Sequence, residues 1–190
     1  MELYTALVHY PVYDKNRRLV ATAVTNIDVH DIARASATFG VKGYFLVTPV
    51  AQQRELVGEL LDHWTDGPGA RYNPRRQAAI ARARVVPDLA AAATQIRAET
   101  GHDPITIGTG ANVKDRMVSF HQMRKLLEER EGSALLIFGT GWGLEESFLD
   151  AFDYVLAPIE GPVEYNHLSV RSAAAIIMDR LRGLRDPEEN

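Results

Sequence analysis

The stretch Ser133-Ala-Leu-Leu-Ile-Phe-Gly-Thr-Gly-Trp-Gly-Leu144, followed by Tyr154-Val-Leu-Ala-Pro-Ile-Glu-Gly161 and Tyr165-Asn-His-Leu-Ser-Val170, decides how this chain is read. An apolar run of strand length delivers a glycine turn, a second run delivers another, and an Ala-rich helical segment reaching Leu181 begins beside both. Gly139, Gly141 and Gly143 carry no Cβ, so the backbone there can take positive φ and a ligand can approach bare N–H and C=O groups. Two such turns side by side make the floor of a pocket.

Working outward, strand and helix patterns alternate. Leu3 to Val8 and Val20 to Ile27 read as strands, separated by the polar turn Asp14-Lys-Asn-Arg-Arg18. Asp28 suits the N-cap of a helix from His30 to Phe39, stopped by Gly40, with Arg34 near its apolar seam. Val41 to Thr48 is a third strand. Ala51 to Trp64 then carries Leu56, Leu60, Leu61 and Trp64 at helical spacing. Asp66-Gly-Pro-Gly-Ala-Arg-Tyr-Asn-Pro-Arg-Arg76 has the chemistry of a loop, and Ala79 to Val86 reads as a helix end and a strand. Helices follow from Asp88 to Glu99, Phe120 to Glu129, Glu145 to Phe152 and Leu168 to Leu184. They alternate with strands from Pro104 to Gly108, Ala134 to Phe138 and Asp153 to Pro158, and Asp186 to Asn190 is expected to fray.

Strands separated by helices of this length predict an α/β fold with a mostly parallel sheet and helices on both faces. In such folds ligands sit at the carboxyl ends of strands. Three of those ends carry glycine: Gly108-Thr-Gly110, Gly139-Thr-Gly-Trp-Gly143 and Ile159-Glu-Gly161. A single such turn ends strands in any α/β protein; three of them within one C-terminal region point to a ligand pocket.

Composition narrows the classes. The chain has 190 residues, 46% hydrophobic and 24% charged, which predicts one domain with a sizeable core over residues 1–190. No run reaches the roughly 18 apolar residues of a membrane span, and Met1-Glu-Leu-Tyr4 lacks a basic leader, so a cytoplasmic location is expected. The absence of cysteine removes disulfides and thiolate chemistry. A net charge of -4 argues against indiscriminate coating of nucleic acid. Arg71, Arg75, Arg76, Arg82 and Arg84 nevertheless form an arginine cluster without an acidic residue among them, with Tyr72 interleaved, suited to an RNA backbone or simply to a solvated surface. His9, His30, His63, His102, His121 and His167 show no metal-ligand spacing, so no metal is expected. G-x-G-x-x-G after the first strand, G-x-x-x-x-G-K-[ST] and G-x-S-x-G are all missing. The pocket therefore calls for a ligand held by main chain and apolar walls.

Phe138-Gly-Thr-Gly-Trp-Gly-Leu144, Ala157-Pro-Ile-Glu-Gly161 and Tyr165-Asn-His-Leu-Ser-Val-Arg-Ser-Ala-Ala-Ala-Ile176 resemble the C-terminal signature of the SPOUT superfamily, the trefoil-knotted RNA methyltransferases. Asn26-Ile-Asp-Val-His-Asp-Ile-Ala-Arg34, with Phe39-Gly-Val41, resembles the N-terminal motif of the ribose-methylating branch. The likeness covers nearly the whole chain and is greatest to a small bacterial branch of S-adenosylmethionine-dependent RNA methyltransferases.

The resemblance implies a C-terminal trefoil knot and S-adenosylmethionine as cofactor. It places the cofactor among Thr109, Gly110, Phe138, Gly139, Thr140, Gly141, Gly143, Leu144, Ile159, Gly161, Asn166, His167, Leu168 and Val170. It also implies an RNA substrate, tRNA or rRNA, methylated on a base or a ribose 2′-oxygen, and a homodimer through the knot and final helix. Arg34 would orient the attacking hydroxyl, with Asn26 positioning substrate and Asp28 as a candidate base, although an N-cap explains Asp28 equally simply. Gly141-Trp142 replaces the family's usual Glu and Ser169 its usual Asn, so base and ribose methylation both stay open. A non-catalytic knotted module that holds S-adenosylmethionine or RNA is the alternative.

Overall fold

The computed structural model describes residues 1–111, 113 and 116–185. Its elements in chain order are β1 (Glu2–Val8), β2 (Val12–Tyr13), β3 (Leu19–Val20), α1 (Asn26–Thr38), β4 (Gly43–Val47), α2 (Ala51–Thr65), α3 (Pro68–Tyr72), α4 (Pro74–Ile80) and β5 (Ala83–Val86). These continue with α5 (Leu89–Thr100), β6 (Ile105–Gly108), β7 (Met117–Val118), α6 (Phe120–Glu129), β8 (Ser133–Gly139), α7 (Glu146–Asp150), β9 (Tyr154–Leu156) and α8 (Val170–Arg182). Seven strands form one sheet in the order β5-β4-β1-β8-β6-β9-β7, with every pairing parallel.

The period-2 alternation of β1 splits the core into two layers. Leu3 and Leu7 face a cluster built with Val29 and Ile32 of α1, Val57 and Leu61 of α2, Met123 of α6 and Ile177 of α8. Tyr4, Ala6 and Val8 face the other layer, with Ala92 and Ile96 of α5, Val12 of β2 and Leu144. The α/β sheet with helices on both faces is thus as expected from the strand and helix patterns.

Several local expectations are corrected. Val20 to Ile27 is not a strand: only Leu19–Val20 pairs, antiparallel to Val12–Tyr13, in a small hairpin. The following residues give way to α1 because Thr25, not Asp28, is the N-cap; its hydroxyl accepts from Asp28 N (3.3 Å) and donates to Asp28 Oδ2 (2.5 Å). Asp28 is accordingly the third helical residue, and Asn26 the first. The expected loop Asp66 to Arg76 contains two short helices. Pro68 and Pro74 each open one, where a missing N–H costs nothing, and the Asn73 side chain caps the second through Arg76 N (3.0 Å). Leu56 points to solvent on α2, the apolar face being carried by Val57 and Leu61 instead. The edge strand β7 had no sequence signal beyond two apolar residues. The tail 186–190 and Asn112 lie outside the described residues.

Candidate functional site

Strands β8, β6 and β9 are consecutive neighbours, so their carboxyl ends with Gly139, Gly108 and the segment leading to Gly161 lie side by side. The sheet thereby brings together the three glycine-bearing ends. It does not leave the central turn bare. Thr140 N donates to Val8 O (3.2 Å), Trp142 N to Tyr13 O (2.9 Å), Gly143 N to Thr140 O (3.1 Å) and Glu145 N to Pro11 O (3.3 Å). The β2–β3 hairpin lies against this turn, and Tyr13 N in return reaches Gly143 O (2.9 Å). A Cβ at Gly141, where φ is +58, would stand 2.8 Å from Tyr13 O; one at Gly139 would stand 2.7 Å from Leu144 Cγ. Both glycines are required by the chain's own packing. Phe138 and Leu144 likewise send their side chains into opposite core layers. Thr109 is buried and its hydroxyl donates to Ile137 O (2.9 Å).

Beneath the turn lies a buried polar chain that spacing did not reveal. Thr140 Oγ1 donates to Val8 O (3.1 Å), Thr22 Oγ1 lies 2.5 Å from Thr140 Oγ1, and His9 Nδ1 lies 2.9 Å from Thr22 Oγ1. His9 Nε2 is buried and has no partner among the described residues. Burial pushes the His9 pKa down to about 4, against a smaller opposing influence of Asp28. The signal that could have found it is the position of His9-Tyr-Pro11 at the carboxyl end of the first strand.

The segment after β9 is the opposite case. From Ile159 to Leu168 no backbone N–H or C=O is paired with a described residue. Gly161 has nothing within 4 Å of a would-be Cβ. Around this open main chain stand the exposed Val163, Tyr165, Leu168 and Trp142. Trp142 meets His167 edge-on with ring centroids 5.7 Å apart, and Tyr165 lies 6.0 Å from the same imidazole. Ile159 and Val170 pack at its inner side against the core, and Asn166 is half-buried.

Helices α1 and α8 lie side by side and run in the same direction, as the contacts Asp28 with Arg171 and Ser36 with Met178 require. Asp28 is buried and accepts from Arg171 Nη1 (2.6 Å) as well as from Thr25, so its carboxylate serves as the tie between the two helices rather than as an unengaged base. The buried Tyr44 hydroxyl donates to Asp28 O (3.4 Å), and burial raises that phenol's pKa well above normal. Arg34 is exposed rather than near the seam. It lines a groove of about 540 Å³ with Asp31, Thr38, Ser169, Arg171 and Ser172, and its guanidinium makes no hydrogen bond or ion pair with the described residues. Eight residues of helix separate it from the exposed Asn26, on the order of 12 Å along the axis.

The arginine cluster divides. Arg84 pairs with Glu99 and lies over Phe45 (5.5 Å), on the α5 side of the sheet. Arg82 donates to Val41 O (3.3 Å) and is half-buried. Arg71 and Arg75 are exposed on α3 and α4, and Arg76 stacks over Trp64 (4.9 Å). His30 sits 5.0 Å from the same indole, and burial, then Arg76 and Arg34, hold its pKa below normal. The positive surface on that side thus runs from α4 towards Arg34 on α1, and does not include Arg84.

From Ile159 to Leu168 the main chain has no partner among the described residues, Ile159 and Val170 supply apolar surface at its inner side, and Gly161 leaves room for close approach; these residues fit the donor and acceptor set that an adenosine bearing a sulfonium requires.

Comparison with known proteins gives the same direction. Residues 2–183 match the family model described as SAM-dependent RNA methyltransferase. The chain is 48% identical over 181 residues to a tRNA (guanine-N(1)-)-methyltransferase of Nitratidesulfovibrio vulgaris, covering 95% of this chain but only 42% of that protein. It is 35% identical over 179 residues to an uncharacterized protein of Aquifex aeolicus, covering 94% of this chain and 87% of that one. Its fold is similar to that of the SpoU methyltransferase AviRb from Streptomyces viridochromogenes, solved in complex with the cofactor AdoMet, with a TM-score of 0.53 at 16% identity over 95% of this chain and 56% of that one. On the family model, which spans nearly the whole chain, the chain belongs to the SAM-dependent RNA methyltransferases.

Proposed function

We propose that this chain methylates RNA, tRNA in the first instance, using S-adenosylmethionine, and that it acts in the cytoplasm as a homodimer whose C-terminal part is knotted. The observation that supports this most directly is the main chain from Ile159 to Leu168, without partners among the described residues, beside the glycine-bearing ends of β8, β6 and β9. Bound S-adenosylmethionine would supply an electrophilic methyl group there. Thr109, Gly110, the turn from Phe138 to Leu144, Ile159, Gly161 and the stretch from Asn166 to Val170 would frame it, mostly through main-chain atoms.

Arg34 carries the acceptor end of the reaction. A guanidinium scarcely loses its proton, so its part is to orient and polarise the attacking oxygen or nitrogen. Asn26, at the amino end of α1, positions substrate. Arg34 and Asn26 lie about 12 Å apart along α1, a span that an RNA substrate covers, and the homodimer would form across α8 and the exposed Trp142, Tyr165 and Leu168. Asp28 braces α1 on α8 through Arg171. Arg71, Arg75 and Arg76 offer the RNA backbone a positive approach, while Arg82 and Arg84 are engaged by Val41 O and Glu99. No helix among the described residues is long and apolar enough to cross a membrane.

Calorimetry with S-adenosylmethionine, followed by transfer of labelled methyl groups to bulk tRNA, tests this. Binding and transfer are expected, with Arg34→Ala lowering transfer about a hundredfold at unchanged cofactor affinity. Binding without transfer to tRNA or rRNA would establish instead a non-catalytic module, and absence of binding at millimolar cofactor would overturn both. Digestion of the product RNA to nucleosides separates base from 2′-O-methylation.

A further inference from the structure

The carboxyl edge of the sheet has a second half. Beyond β1 it is formed by the ends of β1, β4 and β5, and a cavity of about 500 Å³ opens there, lined by Tyr10, Pro11, Pro49, Arg54, Pro87 and Phe148 among others. That size is within the ~300–1,000 Å³ of small-molecule sites. None of these residues belongs to the glycine-bearing ends on β8, β6 and β9. The two halves are nonetheless joined: Pro11 O accepts from Glu145 N (3.3 Å), and Phe148 stands on α7, which the glycine turn leads into.

The walls of this cavity match one ligand chemistry. Tyr10 is 46% exposed, so its ring is available as a stacking platform. Phe148 is held edge-on by Phe152 at 5.1 Å, and three prolines complete rigid apolar surfaces that lose no rotamer freedom on binding. Arg54 is the cation. Its Nη1 donates to Thr48 O (2.9 Å), which pins the guanidinium, while its remaining N–H groups meet no described residue and no described carboxylate pairs with it. Opposite, Asp88 spends Oδ1 on capping α5 through Ala91 N (2.8 Å), leaving Oδ2 to accept from a hydroxyl or amino group. A flat ring between aromatic and proline surfaces, an anion at a pinned arginine and a donor at a carboxylate describe a nucleotide.

We propose that this cavity is a subsite for one nucleotide of the RNA substrate that flanks the methylated one. The inference rests on the RNA-methylating function proposed above. Strands are about 4.8 Å apart, so β4 lies on the order of 10–15 Å from β8 and β6 across the edge, a span that single-stranded RNA bridges in a few nucleotides. Tyr10 stacks on the base, Arg54 takes the phosphate, and Asp88 accepts from the ribose or the base.

The test titrates the full chain, saturated with S-adenosylmethionine, with the four ribonucleoside 5′-monophosphates and the corresponding nucleosides, read by NMR shifts. Tyr10→Ala is expected to weaken monophosphate binding at least about tenfold, with Tyr10→Phe retaining it. Arg54→Gln is expected to weaken the monophosphates but not the nucleosides, with cofactor affinity and melting temperature unchanged. With bulk tRNA, Tyr10→Ala should raise KM about tenfold with kcat within about twofold. Competition of the monophosphates with S-adenosylmethionine, equal binding to Tyr10→Ala, or no binding while the cofactor binds would overturn the subsite. Failure of cofactor binding alone would strike the function proposed above and leave the subsite standing if Tyr10→Ala still weakens the nucleotides.

Discussion

The turn from Gly139 to Glu145 and the segment from Ile159 to Leu168 look alike in sequence, each a glycine-bearing exit from a buried strand, yet they do opposite things. In the first, Tyr13 of the hairpin and the preceding Pro11 take up the N–H groups of Trp142 and Glu145, and the glycines give room to Tyr13 and Leu144. In the second, the main chain of ten residues has no partner among the described residues, and Val163, Tyr165 and Leu168 stand in solvent. A glycine turn therefore marks close approach of something, and whether that something is the chain itself or a ligand depends on what packs against it. Here the turn is the buttress and the later segment is the open wall.

That contrast can be broken at several points. The largest effect is expected from pH. His9, the base of the buttress, releases its proton at about 4 in the folded chain, whereas the unfolded chain binds it near 6.5. Between those values the unfolded state holds more protons, so stability is full above pH 6.5 and falls by about 3 kcal/mol as pH drops to 4. Urea unfolding at a series of pH values should show this slope, and His9→Gln should flatten it relative to the parent chain.

Next comes Gly141→Val, which puts a β-branched side chain at φ +58 with its Cβ 2.8 Å from Tyr13 O. A loss of about 3 kcal/mol is expected; the same change at Gly161, with nothing within 4 Å, should leave stability within about 0.5 kcal/mol and instead weaken S-adenosylmethionine about tenfold. If the Gly161 variant unfolds and the Gly141 variant does not, buttress and wall have been exchanged. Thr22→Val is smaller. It removes the hydroxyl that links His9 Nδ1 to Thr140 Oγ1 and should cost about 1–2 kcal/mol in thermal unfolding. Smallest is Gly161→Ala, expected to leave the midpoint of unfolding unchanged within about 0.5 kcal/mol, since neither φ nor a neighbour there demands glycine.

Much of the fold was legible along the chain because its strands are apolar runs and its helices carry clear stops. Phe120–Glu129 coincides with its expected bounds, because Ser119 and Gln122 form a reciprocal cap that fixes the start. Gly101 ends α5 in the left-handed conformation as its position suggested. Val20 to Ile27 was misread because its β-branched residues have strand propensity but only a two-residue partner in Val12–Tyr13, while Thr25 offers a competing cap. The arginines from Arg71 to Arg84 are close in sequence but sit on different elements, so Arg84 on β5 joins Glu99 and Phe45 while Arg76 on α4 joins Trp64.

The amino-acid sequence by itself determined the α/β class, the parallel sheet, the family signature and the three glycine-bearing strand ends. These follow from local chemistry: apolar periodicity, missing Cβ atoms and the absence of phosphate and metal motifs. Only the tertiary structure decided which glycines serve the chain's own packing, that Asp28 is tied to Arg171 across 143 residues, that His9 lies buried with Nε2 unpartnered among the described residues, and that Arg34 faces the outer groove between α1 and α8. Each of these depends on contacts between residues far apart in sequence. Such contacts are set by the order of strands in the sheet and by the direction in which helices cross it, and no local pattern carries that order.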